Sequence, residues 1–254
     1  MASKRFKFFT LPNSKKIRYQ LLNHKKDLII IFFHGFMSDI EGEKPSTFSK
    51  FCKRKKIGFL TFEYSGHGKS SGKFIKGNIS KWTNDAKHII KSKTKNKKKL
   101  ILIGSSMGSW IALNLFKKFK NKIIGFIGIG SAPEFLDRLM WIKFSKKIKN
   151  LINNNEVYYL ESGQYTYPLT KQLFLDGKKN KVLNLKFNSK IPVIMFHGHK
   201  DEVVPIYLSK KILKIFKKAE KKLFTIRSGD HSLSRKSDLK KICKQLNEII
   251  SNHV

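Results

Sequence analysis

Predominantly apolar stretches recur along the chain at residues 27–33, 57–63, 100–103, 123–129, 191–196 and 223–226. A strand buried on both faces reads as such a continuous run and not as an alternation. Between these runs lie segments with apolar residues at helical spacing: 46–56, 79–91 (carrying Trp82), the stretch from Met107 through Phe119, 206–217 and 236–251. In the last of these, Leu239, Ile242, Cys243, Leu246, Ile249 and Ile250 trace one helix face. The alternation of apolar strands with helices predicts an α/β fold with a mostly parallel, doubly wound sheet. Two shorter strands, 5–11 and 17–22, flank the turn signal Pro12-Asn13-Ser14 and predict an antiparallel hairpin at one sheet edge.

Residues 134–189 break this rhythm. They hold Phe135, Trp141, Phe144, Tyr158, Tyr159, Tyr165, Tyr167 and Phe174, but no clear buried strand, and their helical pieces are short and amphipathic. An insertion that leaves the rim at the strands' carboxyl ends and returns to it would lie over whatever that rim holds. The expected organisation is a core formed by residues 1–133 and 190–254, with residues 134–189 as a small helical cap.

Composition narrows the function classes. A length of 254 residues and 40% apolar content suit one large α/β domain. No apolar run reaches the ~18 residues of a membrane span. The N-terminal residues are basic without an apolar signal core, and the lack of any acid before Asp27 leaves a transit peptide open, but the segment is poor in serine and soon reads as a strand, so a cytoplasmic chain is expected. Cys52 and Cys243 have neither metal-ligand nor disulfide-framework spacing and read as thiols in a reducing compartment. The net charge is +37, yet only six of the 54 basic residues are arginines. Readers of base edges rely on arginine forks. Lysine spread along the whole chain, with much isoleucine and asparagine, reads as a compositional bias that gives salt-sensitive adhesion to polyanions, and no specific nucleic-acid partner is expected.

The candidate chemistry sits at strand ends. Residues 100–103 run into Gly104-Ser105-Ser106-Met107-Gly108, and a helical pattern follows at once. Small residues allow a tight strand-to-helix turn that exposes the Ser106 hydroxyl above a helix N-terminus, as a serine nucleophile requires. After residues 27–33 comes His34-Gly35-Phe36, where the backbone N–H of Phe36 is the natural first oxyanion donor; that of Met107 is the second. His34 itself reads as a structural histidine. Asp201 lies just past the strand 191–196, and His231 lies in the loop after 223–226. The order Ser106, Asp201, His231, each after its own strand, is the α/β-hydrolase order of nucleophile, acid and base. Glu202 and Asp230 compete for the acid role, but Glu202 is one residue out of phase and Asp230 adjoins His231. The Gly68-Lys69-Ser70 in the loop after residue 63 suggests a phosphate loop, but that motif needs a glycine where Glu63 stands, so nucleotide binding is rejected.

With these residues in place the chain resembles the α/β-hydrolase superfamily over almost its whole length. His34-Gly35-Phe36-Met37-Ser38-Asp39, Tyr64-Ser65-Gly66-His67-Gly68-Lys69-Ser70-Ser71-Gly72 and Ser228-Gly229-Asp230-His231-Ser232-Leu233-Ser234 resemble one subgroup of it, the mitochondrial palmitoyl-protein thioesterase and acyl-glucuronide esterase with its bacterial relatives. The resemblance implies hydrolysis of S-acyl cysteine or acyl esters, with Ser106, Asp201 and His231 as the triad and Phe36 and Met107 as oxyanion donors. The expected partner is a small or lipid-like acyl substrate, and no metal, nucleotide or redox cofactor is implied. Ser106 argues against a dehalogenase or epoxide hydrolase, which place a carboxylate at this elbow. A serine peptidase of the same fold and a non-catalytic, polyanion-binding protein are the competing readings.

Overall fold

The computed structural model describes residues 6–94, 98–162 and 165–252. Its strands are β1 (Lys7–Thr10), β2 (Lys16–Leu22), β3 (Leu28–Phe33), β4 (Gly58–Phe62), β5 (Lys99–Ser105), β6 (Ile123–Ile129), β7 (Tyr158–Ser162), β8 (Tyr165–Leu169), β9 (Pro192–Gly198) and β10 (Glu220–Ile226). Eight of them form one sheet in the order β1-β2-β4-β3-β5-β6-β9-β10. The edge pair β1 and β2 is antiparallel, β2 is antiparallel to β4, and every later pairing is parallel. The hairpin around Pro12 and the parallel sheet thus stand where the residue pattern predicts them.

The continuous apolar runs are explained by helices on both faces. These are α1 (Glu43–Arg54), α2 (Ile79–Lys93), α3 (Met107–Phe119), α4 (Lys146–Asn153), α5 (Lys171–Lys179), α6 (Tyr207–Ile215) and α7 (Lys236–Ser251). Strand side chains alternate between faces. From β3, Ile29, Ile31 and Phe33 join a core with α2, α3 and α6, while Leu28, Ile30 and Phe32 join a second core with α1 and α7. Every residue of β3 is therefore buried, at roughly 1.5–3 kcal/mol for each large apolar side chain. Cys52 of α1 and Cys243 of α7 pack in that second core, both as free thiols.

Register aligns the strand ends that carry chemistry. Phe33 pairs with Gly104, Ser105 with Ile129, Ile129 with Phe196, and Gly198 with Ile226. The loops after β3, β5, β6, β9 and β10 leave from one rim as a result.

The segment between β6 and β9 departs from the all-helical expectation. It opens with a π-helical turn (Leu136–Met140) and a 3-10 turn (Trp141–Lys143), followed by α4, an antiparallel hairpin β7-β8, and α5. The hairpin escapes the apolar pattern because its strands have only five residues each and carry tyrosine at both parities (Tyr158 and Tyr159), which blurs the alternation. Its start and return are joined by one side chain. The carboxylate of Glu134 accepts the N–H groups of Val182 (2.9 Å) and Leu183 (2.8 Å) and the Nε–H of Arg138 (2.8 Å).

The loop holding Gly68-Lys69-Ser70 has its own anion. The buried carboxylate of Glu63 accepts the N–H of Lys69 (2.8 Å) and the hydroxyl of Ser70 (3.2 Å) and is paired with Arg18. Glu63 thus occupies the place a phosphate would need. No helix among the described residues is long and apolar enough to cross a membrane.

Candidate active site

Ser106 sits between β5 and α3 with φ 51° and ψ −119°. An L-residue rarely adopts such a backbone, and here the surroundings impose it. Its N–H donates to Ile129 O (2.9 Å), and its carbonyl accepts the N–H groups of Ser109 (3.1 Å) and Ala132 (3.2 Å). A side chain at Gly104 would strike the backbone of Ser109, and one at Gly108 would strike the carbonyl of Phe33. The two glycines permit that close approach, which is the physical content of the Gly-x-Ser-x-Gly pattern.

His231 Nε2 lies 3.1 Å from Ser106 Oγ, and its Nδ1 lies 2.8 Å from Asp201 Oδ2. The three residues that the sequence assigns as nucleophile, base and acid are therefore within hydrogen-bond reach of one another. Gly130, with φ +50°, packs its backbone against the His231 ring and carbonyl, so the end of β6 supports the imidazole. The Asp201 side chain is buried, and its Oδ1 accepts the N–H groups of Val203 (3.0 Å) and Val204 (2.8 Å). Burial alone would raise its pKa, but the hydrogen bond and charge of His231, the Val204 N–H and nearby His197 hold the carboxyl below the usual range. Neither competing carboxylate bonds the His231 ring among the described residues: Asp230 accepts the N–H of Leu233 (2.9 Å), and Glu202 lines the cavity.

Phe36 lies in the turn after β3, and Met107 is the first residue of α3. Neither N–H is taken by an acceptor among the described residues. His34 is buried behind this turn, its Nδ1 2.8 Å from Gly35 O, with its ring 4.3 Å from Tyr64 and 5.1 Å from His67. Burial pushes its pKa down to about 4. Its Nε2 has no hydrogen-bond partner among the described residues.

A cavity of about 940 Å³ opens over Ser106 and His231. The rim contributes Phe36 and Val204, and the insertion contributes Phe135, Leu139, Met140, Leu160, Tyr165 and Tyr167. Hairpin register explains the last three. Leu160 pairs with Tyr167 and Ser162 with Tyr165, so these four side chains share the face turned to the cavity, while Tyr159 points to solvent. Phe36 stacks on Tyr167 at 5.5 Å and meets Phe135 edge-on at 5.2 Å.

Two contributors escaped the sequence. His197, at the end of β9, donates from Nε2 to Val204 O (2.8 Å) and lies 3.5 Å from Asp201 Oδ2, bracing the loop of Asp201. Its signal was a histidine directly before Gly198 at a strand end. Lys44, in the first turn of α1, reaches the loop of His231. Nothing in the sequence pattern marks it among so many lysines.

Residues 24–172, more than half of the chain, match a hydrolase family described as serine aminopeptidase, S33. The chain belongs to this family of α/β-hydrolases. It is 25% identical over 248 residues to the mitochondrial palmitoyl-protein thioesterase ABHD10 of Bos taurus, covering 96% of this chain and 79% of the bovine one. A putative hydrolase from Agrobacterium vitis superposes with a TM-score of 0.89 at 26% identity, over 97% of this chain and 99% of that one. Mouse α/β-hydrolase domain-containing protein 10 superposes at 0.87 with 24% identity, over 98% and 100% of the two chains. The α/β-hydrolase fold expected from the residue pattern is the fold of these relatives.

Proposed function

We propose that this α/β-hydrolase cleaves carboxylic esters or thioesters, S-acyl thioesters among them, through an acyl-enzyme on Ser106. The observation that carries the reading is the continuous hydrogen-bonded line from Ser106 Oγ through His231 to buried Asp201, at the floor of an apolar cavity. In the first half-reaction Ser106 Oγ attacks the substrate carbonyl carbon while its proton passes to His231 Nε2. Asp201 holds the imidazole in the tautomer whose Nε2 can accept and stabilises the imidazolium. The N–H groups of Phe36 and Met107 receive the developing oxyanion, each worth ~3 kcal/mol of transition-state stabilisation. Collapse expels the alcohol or thiol, which takes the proton from His231. In the second half-reaction His231 deprotonates water, the hydroxide attacks acyl-Ser106, and the carboxylic acid leaves as Ser106 regains its proton.

Residues 134–189 act in this reading as a cap that shapes the acyl pocket on the core of 1–133 and 190–254. The name of the mammalian relatives favours S-acyl substrates, and the aromatic lining suits an apolar acyl group. The two free thiols agree with a reducing compartment, and cytoplasmic residence is part of the reading. The family description gives peptide-bond cleavage as the second reading.

A fluorophosphonate probe should label the folded protein at Ser106 by mass spectrometry, and Ser106→Ala should abolish labelling. Unlabelled protein from the same preparation is profiled on p-nitrophenyl esters and S-acyl thioesters of graded length and on aminoacyl p-nitroanilides. Ester or thioester turnover with a chain-length optimum is expected. Absence of labelling at Ser106 overturns the enzyme reading, and turnover of the anilides alone replaces it with the peptidase.

A further inference from the structure

The backbone of the loop that carries His231 is held up to Leu233 by bonds within the loop and to the neighbouring β9 loop. Gly229 N–H donates to Ile226 O, Lys200 N–H to Gly229 O, and Leu233 N–H to Asp230 Oδ1. All of these lie before His231 or span it by only a few residues. The two serines that follow, Ser232 and Ser234, have a distant partner. Lys44 Nζ donates to Ser232 O (2.5 Å), Ser234 Oγ (2.9 Å) and Ser232 Oγ (3.3 Å), and the two hydroxyls lie 2.6 Å apart.

Several features make this contact unusual for a lysine in a chain with 54 basic residues. The ammonium has three N–H donors, and three loop oxygens take them. All three acceptors are neutral. Burial pushes the Lys44 pKa down to about 8, only partly offset by the charge of Asp230. A cation in the first turn of a helix also opposes the helix dipole. Lysines elsewhere on such a surface extend into water at no comparable cost. A side chain held against these penalties is fixed by its hydrogen bonds, and those bonds end one and three residues beyond His231.

The location of Lys44 sets what the contact joins. The segment from Gly35 to Gly42 runs from the oxyanion turn into α1, so Lys44 lies eight residues after Phe36 on that same segment. Both Lys44 and the loop serines line the cavity that contains Ser106. The strap therefore closes a ring: elbow, His231 loop, Lys44, the turn of Phe36, and back to the elbow, where a Cβ added at Gly35 would meet the Ser106 side chain at 3.5 Å.

We propose that Lys44 is a positioning residue whose ammonium straps the His231 loop to the oxyanion-turn segment and so fixes the imidazole against Ser106. The inference rests on the reading of His231 as the general base. Lys44 touches neither the reacting atoms nor the imidazole. It acts through the loop backbone, and a misplacement of about 1 Å in such a constellation costs about 10²-fold in rate.

The test uses Lys44→Met, which keeps the length and apolar stem of the side chain, with Lys44→Arg and Ser234→Ala beside it. The substrate is p-nitrophenyl butyrate, which carries no charge for Lys44 to bind. Lys44→Met should lower kcat about 10- to 100-fold with KM within about twofold and little change in Tm. Lys44→Arg should restore a large part of that loss. Ser234→Ala, which leaves α1 intact and covers the case of a poorly folding Lys44→Met, should lower kcat a few-fold. Its effect should vanish in the Lys44→Met background, since the two would then remove one interaction. Wild-type kcat in Lys44→Met overturns the strap, as does a raised KM at unchanged kcat, which would assign Lys44 to substrate binding. Additive effects of Lys44→Met and Ser234→Ala overturn it too. Fluorophosphonate labelling of wild-type Ser106 keeps the two readings apart: labelling with unchanged Lys44→Met kinetics removes the strap alone, and no labelling removes the proposed function itself.

Discussion

The rim loops of the sheet and the insertion at 134–189 face each other across one cavity, but they are held by different physics. The rim loops are set by strand register and backbone hydrogen bonds: Ser106 N–H on Ile129 O, Gly130 N–H on Phe196 O, and His199 N–H on Ile226 O. A displacement there breaks hydrogen bonds in a buried layer, so each catalytic candidate has one position. The insertion is held by side chains. Glu134 clamps Val182 and Leu183, the Trp110 indole N–H donates to Asn180 O (2.7 Å), and Gln172 donates to Ile75 O (2.7 Å). Among the described residues its inner hairpin face contributes aromatic and apolar surface to the cavity and no carboxylate, lysine or histidine. Chemistry assigned to the rim and selection assigned to the insertion follow from that difference.

Substitutions on the two sides should separate accordingly. The largest effect belongs to the rim: Asp201→Asn, which keeps size but favours the wrong imidazole tautomer, should lower kcat by ~10⁴-fold for every substrate tested. A loss confined to some chain lengths would place Asp201 outside the common chemistry. Next comes the ground beneath the oxyanion turn. His34 stays neutral in the folded protein down to about pH 4, whereas the unfolded chain takes up its proton near 6.5. Between those values the unfolded state binds the extra proton, so stability falls as pH drops through 6.5 toward 4 and levels off below. The loss from His34 is ~3 kcal/mol, and buried His67, with its pKa also lowered by burial, adds in the same direction. Urea midpoints measured from pH 7 to pH 4 should fall in the wild type and fall less in His34→Gln. Equal slopes would remove His34 from the account. The smallest effect belongs to the insertion: Tyr167→Ala opens the wall beside Phe36 and should lower kcat/KM by ~10- to 100-fold for the best acyl group while leaving short esters nearly untouched. A uniform loss across the series would mean that the hairpin supports the oxyanion turn and does not select the acyl group.

Legibility followed the same division. The central strands β3, β4, β5, β6 and β9 were visible as apolar runs because burial on both faces leaves few polar positions to confuse the period, whereas the edge strands β1 and β2 were visible from the turn signal between them. The errors at strand and helix ends were small: β10 begins at Glu220, three residues before its apolar part, because its edge position allows Glu220, Lys221 and Lys222 to face solvent. Helix α6 stops at Ile215, where Phe216 turns extended to bridge Phe187. The hairpin β7-β8 was not visible, since a half-exposed ribbon needs only a few apolar contacts and tolerates tyrosines on both faces. The candidate site was legible wherever a residue type is needed by the turn itself, as at Gly104, Ser106 and Gly108. It was not legible where a common residue acquires a role from a distant partner, as at Lys44 and His197.

Sequence alone determined the layered α/β fold, the order of Ser106, Asp201 and His231 after their strands, and the small residues at the elbow, because local sterics and two-sided burial demand those residue types at those positions. Tertiary structure decided which of three acids meets His231, which hairpin face looks into the cavity, and which of many lysines binds the His231 loop. Those choices depend on distances between segments 30 to 190 residues apart, and no local pattern encodes them.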